Sequence, residues 1–312
     1  MRSCIFGGAG FIGSHLAASL AGLGREVTVI GRSPWPTRIL PAQARYRQCP
    51  QSGAGDLARL LEGFDELVDL AYATVPKTSF TDPVFDIQAN LPFAVRLFQA
   101  ASAAGVGRVV IVSSGGTVYG LARTLPIAET HPTSPLSPYG ITKLTIEKYA
   151  FMFHHCHGLP VTVVRPANAY GSGQDAHSGQ GFVATAMARL AAGEEVRVFG
   201  PRGTVRDYVH VDDVVSGIIA ALLRGKPGEV YNIGTGMGHD NIEVVEAICR
   251  IAGITSADAQ LHLLPARPFD VPTNVLDAAK LRRHTGWEPH IDFDRGIERC
   301  WKELATRTST KD

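Results

Sequence analysis

The sequence has no apolar run of the 18 or so residues that a membrane-spanning helix needs, so no membrane partner is expected. It has no excess of either charge: 30 basic residues stand against 29 acidic ones, for a net charge of +1. A surface that neutralises many phosphates carries a basic excess, so no nucleic-acid partner is expected either. Cysteine is scarce and scattered. Cys4, Cys49, Cys156, Cys249 and Cys300 are odd in number, widely spaced and contain no C-x-x-C. That pattern argues against a disulfide framework or a structural zinc site, and for a reducing, cytoplasmic setting. The glycines starting at Gly7 leave no room for the apolar stretch of a secretory leader. Repeats and low-complexity tracts are missing too. What the chain does have is glycine, 33 in 312 residues, against an average usage of about 7%. Such a surplus points to tight turns or to backbone that approaches a ligand closely.

Strand-like and helix-like segments alternate from the start. Apolar or β-branched runs at residues 2–6, 26–30, 66–71, 108–113 and 159–165 read as strands. Between them, residues 13–24, 83–104 and 137–157 carry helical periodicity, with Pro138 suited to a first helical position. This alternation predicts an α/β fold, a doubly wound parallel sheet with helices on both faces. The stretch 167–181, rich in Gly, Ser and Gln, reads as a boundary or binding loop. The expected division is a dinucleotide-binding unit at 1–165 and a smaller substrate-binding unit at 166–312, some of whose segments return to the first. In that second part, helices are expected near 182–192 and 212–224 and strands at 195–199 and 229–233, with the end from Thr306 frayed.

Gly7, Gly10 and Gly13 form G-x-x-G-x-x-G between the first strand and the first helix. A tight turn, close approach to a pyrophosphate and close helix–strand packing all call for glycine there, and the helix N-terminus offers N–H groups to the anion. Tyr139 and Lys143 form Y-x-x-x-K, four apart on one helix face. For Tyr139 to act as a base near neutrality, its pKa of about 10 must fall by about 3 units. A nearby ammonium and a positive nicotinamide ring have the right sign. Upstream, SSGGTVYG offers the hydroxyls of Ser113, Ser114 and Thr117. The run His154, His155, Cys156, His157 places neighbours on different sides of a helix and suits a helix C-terminus, so no metal site is expected. Asp212 and Asp213 read as a cap for the helix that follows.

Together with GDL at 55–57, VRPANAYG, FGPRGTVRDYVHVDDV, YNIGTG and RPFDVPTNVLDAAKL, these motifs resemble the extended short-chain dehydrogenase/reductases, specifically the nucleotide-sugar 4-epimerases, over nearly the whole chain. The resemblance implies NAD or NADP held tightly against Gly7, Gly10, Phe11, Ile12, Gly13, Arg32, Leu70, Ala71, Tyr72, Asn90, Ser113 and Pro166, with Asp56 and Leu57 at the adenine. Tyr139 would be the acid/base and Lys143 would hold the nicotinamide ribose. Asn168 and Arg206 would bind the diphosphate of a nucleotide-sugar substrate, Val198 and Phe199 would line its base, and Arg267 with Asp270 would complete that site. Asn274, four residues after Asp270, would border the C2 substituent of the sugar and leave room for an N-acetyl group. A homodimer through a four-helix bundle is implied, with Leu91, Val95 and Phe98 on one helix and Ile146, Ala150 and Phe153 on the other.

Two positions depart from that pattern. Gly115 stands where the family places its catalytic Ser or Thr, so Ser114 or Thr117 must supply the hydroxyl. Gly31 stands where an acid reads the ribose 2′-OH of NAD; with Arg32 and Arg38 nearby, a 2′-phosphate is physically favoured. The Asp-Glu pair of related 4,6-dehydratases is replaced by Gly116 and Thr117, which disfavours water elimination. The alternatives are a reductase or dehydratase with net chemistry, or a non-catalytic dinucleotide sensor on the same fold.

Overall fold

In the computed structural model, residues 1–49, 54–176, 180–255, 259–267 and 270–309 are described. The chain opens on β1 (Arg2–Phe6), α1 (Phe11–Gly22), β2 (Glu26–Gly31) and β3 (Arg45–Gln48). Next come α2 (Ala54–Leu61), β4 (Glu66–Asp69), α3 (Pro76–Thr81) and α4 (Pro83–Ala103). β5 (Arg108–Val112), α5 (Pro138–His157) and β6 (Val161–Pro166) follow. With β11 (Val230–Ile233), these strands form a seven-stranded sheet in the order β11-β6-β5-β4-β1-β2-β3, every pairing parallel. A parallel sheet covered on both faces needs apolar side chains on both, and Cys4, Ile5 and Phe6 of β1, like Val27, Val29 and Ile30 of β2, are all buried. α5 starts as its sequence dictates: Ser137 Oγ accepts from the Gly140 N–H at 3.1 Å, and Pro138 takes the first helical position.

The rest of the chain is built from short pieces. These are β7 (Asn168–Tyr170), α6 (Phe182–Ala191), β8 (Val196–Phe199), β9 (Val205–Arg206), β10 (Tyr208–His210) and α7 (Val211–Arg224). After β11 come α8 (Asn241–Ala252), β12 (Leu261–Leu264), β13 (Thr273–Asn274), α9 (Ala279–Thr285) and α10 (Phe293–Ser309). The strands form three parallel pairs, β7–β10, β8–β12 and β9–β13. A separate apolar cluster from α6, α8 and α10, including Val183, Met187, Val244, Ile248 and Ile297, lies beneath them.

Several expectations are corrected here. The helix faces assigned to a dimer interface are mostly interior: Phe98, Ile146, Ala150 and Phe153 are buried between α4, α5 and the sheet, because the more regular apolar stripe on each helix serves the chain's own core. The apolar side chains left exposed on these helices are Val84, Phe85, Ile87, Ile141, Tyr149 and Met152. Asp212 and Asp213 do not cap α7; His210 does, its Nδ1 accepting from the Asp212 N–H at 3.2 Å. The Asp213 carboxylate instead accepts from the His290 and Ile291 N–H groups. Thr306 and the residues up to Ser309 are the last turn of α10 rather than a frayed tail; residues 310–312 lie outside the described residues.

Candidate active site

The site forms at the C-terminal ends of β1, β4, β5 and β6. Gly7 takes φ +72°, and a Cβ there would lie 2.9 Å from the Ala71 nitrogen, so the glycine turn presses directly on the loop after β4. A Cβ at Gly13 would run into the Gly7 carbonyl. The helix α1 N-terminus has Gly10 as its cap residue and no side chain to satisfy it, which leaves its first N–H groups for an anion. This cradle, closed to any side chain and uncapped, fits the pyrophosphate of a dinucleotide. Phe11 and Ile12 are half-buried at its rim.

Leu70, Ala71 and Tyr72 form the opposite wall. The Leu70 N–H donates to the Phe6 carbonyl at 3.0 Å and the Ala71 N–H to Asp69 Oδ1 at 2.9 Å. Asn90 supports this wall from α4: its Oδ1 accepts from the Ala73 N–H at 2.7 Å and its Nδ2 donates to the Asp86 carbonyl at 2.8 Å. Its side chain is thus engaged in holding the loop. Asp56 pairs with Arg59 at the start of α2, while the Leu57 side chain is buried in the core, leaving only its backbone for contact with a base. Beyond β2, Arg32 is exposed. Arg38 turns elsewhere, its Nη1 within 2.9 Å of where a Gly173 Cβ would stand. The space beside Gly31 is filled by the Tyr46 hydroxyl, which donates to the Ser33 carbonyl at 2.7 Å.

Tyr139 and Lys143 stand on α5 facing these loops. The Tyr139 ring meets the Tyr72 ring edge-on at 4.8 Å, and its backbone N–H donates to Ser79 Oγ at 3.1 Å. Lys143 is buried; its Nζ donates to the Val112 carbonyl at 2.9 Å and lies 4.2 Å from the Tyr72 ring centroid and 5.9 Å from that of Tyr139. Burial lowers the Lys143 pKa to about 8, although Asp69, Glu147 and Asp86 all pull it upward. Burial, and then the Asp86 carboxylate, push the Tyr139 phenol above its ordinary value. This corrects the expected downward shift: the chain's own groups oppose phenolate formation, burial most of all and the Asp86 carboxylate next. Of the two sources named above, the positive nicotinamide ring remains, and it comes with the cofactor.

The hydroxyl loop lies beside them, with the Thr117 carbonyl only 2.8 Å from where a Gly140 Cβ would stand. The absence of a side chain at Gly115 is steric: its N–H donates to the Pro166 carbonyl, and a Cβ would lie 2.9 Å from the Arg165 carbonyl and collide with Leu276. Ser113 is engaged, its hydroxyl donating to Glu147. Thr117 Oγ1 is buried with no hydrogen-bond partner among the described residues, and Ser114 is half-buried.

At the far end, Asn168 on β7 lies against Gly116, where a Cβ would stand 3.3 Å from its Oδ1. Arg206 donates to the Val205 carbonyl at 2.8 Å, and no carboxylate pairs with it among the described residues. Burial lowers its pKa. Arg267 holds Asp270 through two bonds, at 2.8 and 3.2 Å, and lies 4.2 Å over the Phe199 ring; Val198 is buried beside Phe199. Asn274 is not an open gate. It is buried on β13, and its Nδ2 already donates to the Gly115 carbonyl at 3.1 Å, although Oδ1 has no partner. Asp69, Asp86, Glu147 and Arg165 were not anticipated, yet all face the Tyr139–Lys143 pair or its supports. Glu147 had a readable signal, lying eight residues after Tyr139 on the same helix.

Residues 3–234 match the NAD dependent epimerase/dehydratase family. A UDP-glucose 4-epimerase of Mycolicibacterium smegmatis is 35% identical over 304 residues, covering 95% of this chain and 96% of the relative. Among solved structures, the UDP-glucose 4-epimerase of Thermotoga maritima with UDP-glucose superposes with a TM-score of 0.91 at 32% identity, covering 99% of this chain and all of the other. That of Thermus thermophilus in complex with NAD gives 0.90 at 32% identity, covering 98% and 99%. With the family model spanning residues 3–234 and the parallel sheet superposing on these structures, the chain belongs to the NAD-dependent epimerase/dehydratase family.

Proposed function

We propose that the chain is a nucleotide-sugar 4-epimerase acting on a UDP-hexose or UDP-N-acetylhexosamine through a 4-keto sugar. The observation that carries this reading is the placement of Tyr139 and Lys143 between the glycine cradle and the Ser114–Thr117 loop, with no carboxyl acid or base at 116 or 117 to eliminate water. NAD(P) held at the Gly7–Gly13 cradle would supply reversible hydride transfer at C4. Tyr139 exchanges the O4 proton, and Thr117 or Ser114 supplies the second hydroxyl. Lys143 steadies the nicotinamide ribose. Arg206, desolvated and without a carboxylate partner among the described residues, suits the diphosphate, with Asn168 beside it. Phe199 with Arg267 and Asp270 receives the base. Crowding accounts for the glycine at 115, and the hydroxyl role then falls to Thr117 or Ser114 nearby.

Purified protein incubated with UDP-, GDP- and dTDP-sugars should give C4 epimers of unchanged mass with no net use of NAD(P)H. UDP-N-acetylhexosamines should turn over alongside plain hexoses, since the side chain at position 274 is a small amide drawn onto the Gly115 carbonyl rather than a ring closing over the sugar. Loss of water, or stoichiometric oxidation of NAD(P)H, would instead identify a dehydratase or reductase.

Tyr139→Phe should keep the fold and the bound dinucleotide and lower kcat by at least about 100-fold. In the parent, kcat should fall as pH rises through about 8, where Lys143 loses its charge. A variant with near-parental kcat would remove Tyr139 from the reaction.

NAD serves as cofactor in this reading, and NADP is accommodated because Gly31 presents no acid and Arg32 stands exposed. Gly31→Asp alone must displace the Tyr46 hydroxyl. Combined with Tyr46→Phe, it should shift calorimetric affinity on stripped protein from NADP toward NAD; an unchanged ratio would show that residue 31 does not read the ribose.

A two-fold dimer through the exposed apolar faces of α4 and α5 completes the proposal. Light scattering at micromolar protein should give twice the chain mass, and Ile141→Glu with Met152→Glu should give the single-chain mass. A parental monomer would refute it.

A further inference from the structure

Tyr139 and Lys143 belong to a longer row. Residues 139, 143 and 147 recur at four-residue intervals, so Glu147 continues the same stripe of α5 one turn beyond Lys143. Glu147 is buried, and so is Arg165 on β6. Glu147 Oε1 accepts from Arg165 Nε at 3.0 Å, and Oε2 accepts from Arg165 Nη2 at 2.5 Å. The Ser113 hydroxyl, just past β5, donates to the same Oε1. One turn earlier, Lys143 donates to the Val112 carbonyl. Successive turns of α5 are thus tied to successive residues of one strand end, 143 to 112 and 147 to 113. Arg165 closes the arrangement from the next strand. Its guanidinium lies 4.8 Å over the Tyr119 ring, whose hydroxyl donates to Asn232 Oδ1 on β11 at 2.6 Å.

A buried ion pair is weak grounds for stability, because desolvation offsets much of the attraction. The location of this one gives it another use. We propose that Glu147 is a positioning residue for the reaction: through Ser113 and Arg165 it locks the rotation and depth of α5 against the ends of β5 and β6, and so sets where the Tyr139 hydroxyl and the Lys143 ammonium stand. It is also one of three carboxylates facing Lys143. The others are Asp69 from β4 and Asp86 from α4, and the Tyr72 and Tyr139 rings complete the surroundings. The inference rests on the Tyr139–Lys143 reading above, so its test includes a readout that needs no substrate.

Glu147→Gln keeps the volume and removes the charge. The Lys143 titration, followed by NMR of lysine labelled at Cε and assigned with Lys143→Met, should move down by about one unit. The alkaline limb of kcat should move with it, and kcat should fall about 10- to 100-fold while KM stays within about two-fold. Since Gln leaves Arg165 without a counter-charge, Glu147→Gln is also paired with Arg165→Gln, which removes both charges together. Low kcat that persists in the double variant, where the opposing charges at 147 and 165 are both gone, supports positioning. Recovery of the parental kcat there, with only Tm altered in the single variant, would overturn it. Should neither variant fold, Ser113→Ala leaves the ion pair standing and decides the matter: reduced kcat at parental NAD affinity and Tm supports the proposal, and unchanged kcat overturns it. A parent that turns over no nucleotide sugar, yet whose Lys143 titration drops in Glu147→Gln, would unseat the epimerase reading and leave the Glu147–Lys143 coupling in place.

Discussion

A parallel sheet forces the chain to return over its own faces after every strand, and that constraint brings the functional residues to one edge. All seven strands of the main sheet run the same way, so their C-terminal ends, and the loops that leave them, share one side. The chain builds outward from β1 to β2 and β3, then crosses back to β4 on the other side of β1. The direction of winding therefore reverses between β1 and β4, and a crevice opens there. Gly7 meets Leu70 and Ala71 at this crevice. β4, β5 and β6 then deliver Tyr72, the Ser113–Thr117 loop and Pro166 in sequence, and α5 crosses over them carrying Tyr139 and Lys143.

Burial then decides which charges that edge can hold. Lys143 lies in the interior, where its ammonium is disfavoured, and three carboxylates from three different elements offset the cost. Asp69 feels the same burial and is raised to about 6, despite the Ala71 N–H and Lys143. Such a buried polar network carries high stakes, since each member left unpartnered costs more than it would in water. It also tilts Tyr139 away from the phenolate. In the reaction proposed above, a positive nicotinamide ring beside Tyr139 would oppose that tilt and so tie proton transfer to the bound oxidised cofactor.

Much of this was legible in the sequence. The strands and helices around the glycine motif and around Y-x-x-x-K could be read from periodicity, because a two-sided parallel sheet imposes strong apolar runs and the helices carry ordinary start signals such as Ser137-Pro138. The elements β3, α2, α3, β7, β9, β10, α8, β12, β13, α9 and α10 were not read: most span two to eight residues and leave no clear period, while α8 and α10 do carry helical apolar spacing that went unused. Helix faces were misassigned because α4 and α5 each carry two apolar stripes. Phe98 and Phe153 fall on the one that meets the sheet, Val84 and Met152 on the other, and spacing alone does not say which turns inward. Gly115 looked like a lost hydroxyl until the Arg165 carbonyl and Leu276 were seen to occupy the space. The pKa of Tyr139 was misjudged because sequence shows a lysine four residues away but not the burial of the phenol or the Asp86 carboxylate facing it.

The nucleotide end is held by different means. Its strands come in pairs of two to four residues, too short to fix a register by themselves. A single buried carboxylate does much of that work. Asp207, between β9 and β10, accepts from the Thr235 and Gly236 N–H groups, the Thr235 hydroxyl and the Leu276 N–H. It thereby joins three distant segments: the one bearing Arg206, the turn after β11, and the segment of Asn274 and Leu276. Leu276 in turn crowds Gly115, and Asn274 holds the Gly115 carbonyl. Arg206 and the Ser113–Thr117 loop are therefore fixed relative to each other through a chain of buried polar contacts, and in the reaction proposed above that would couple the position of the substrate's nucleotide to the loop where the sugar reacts.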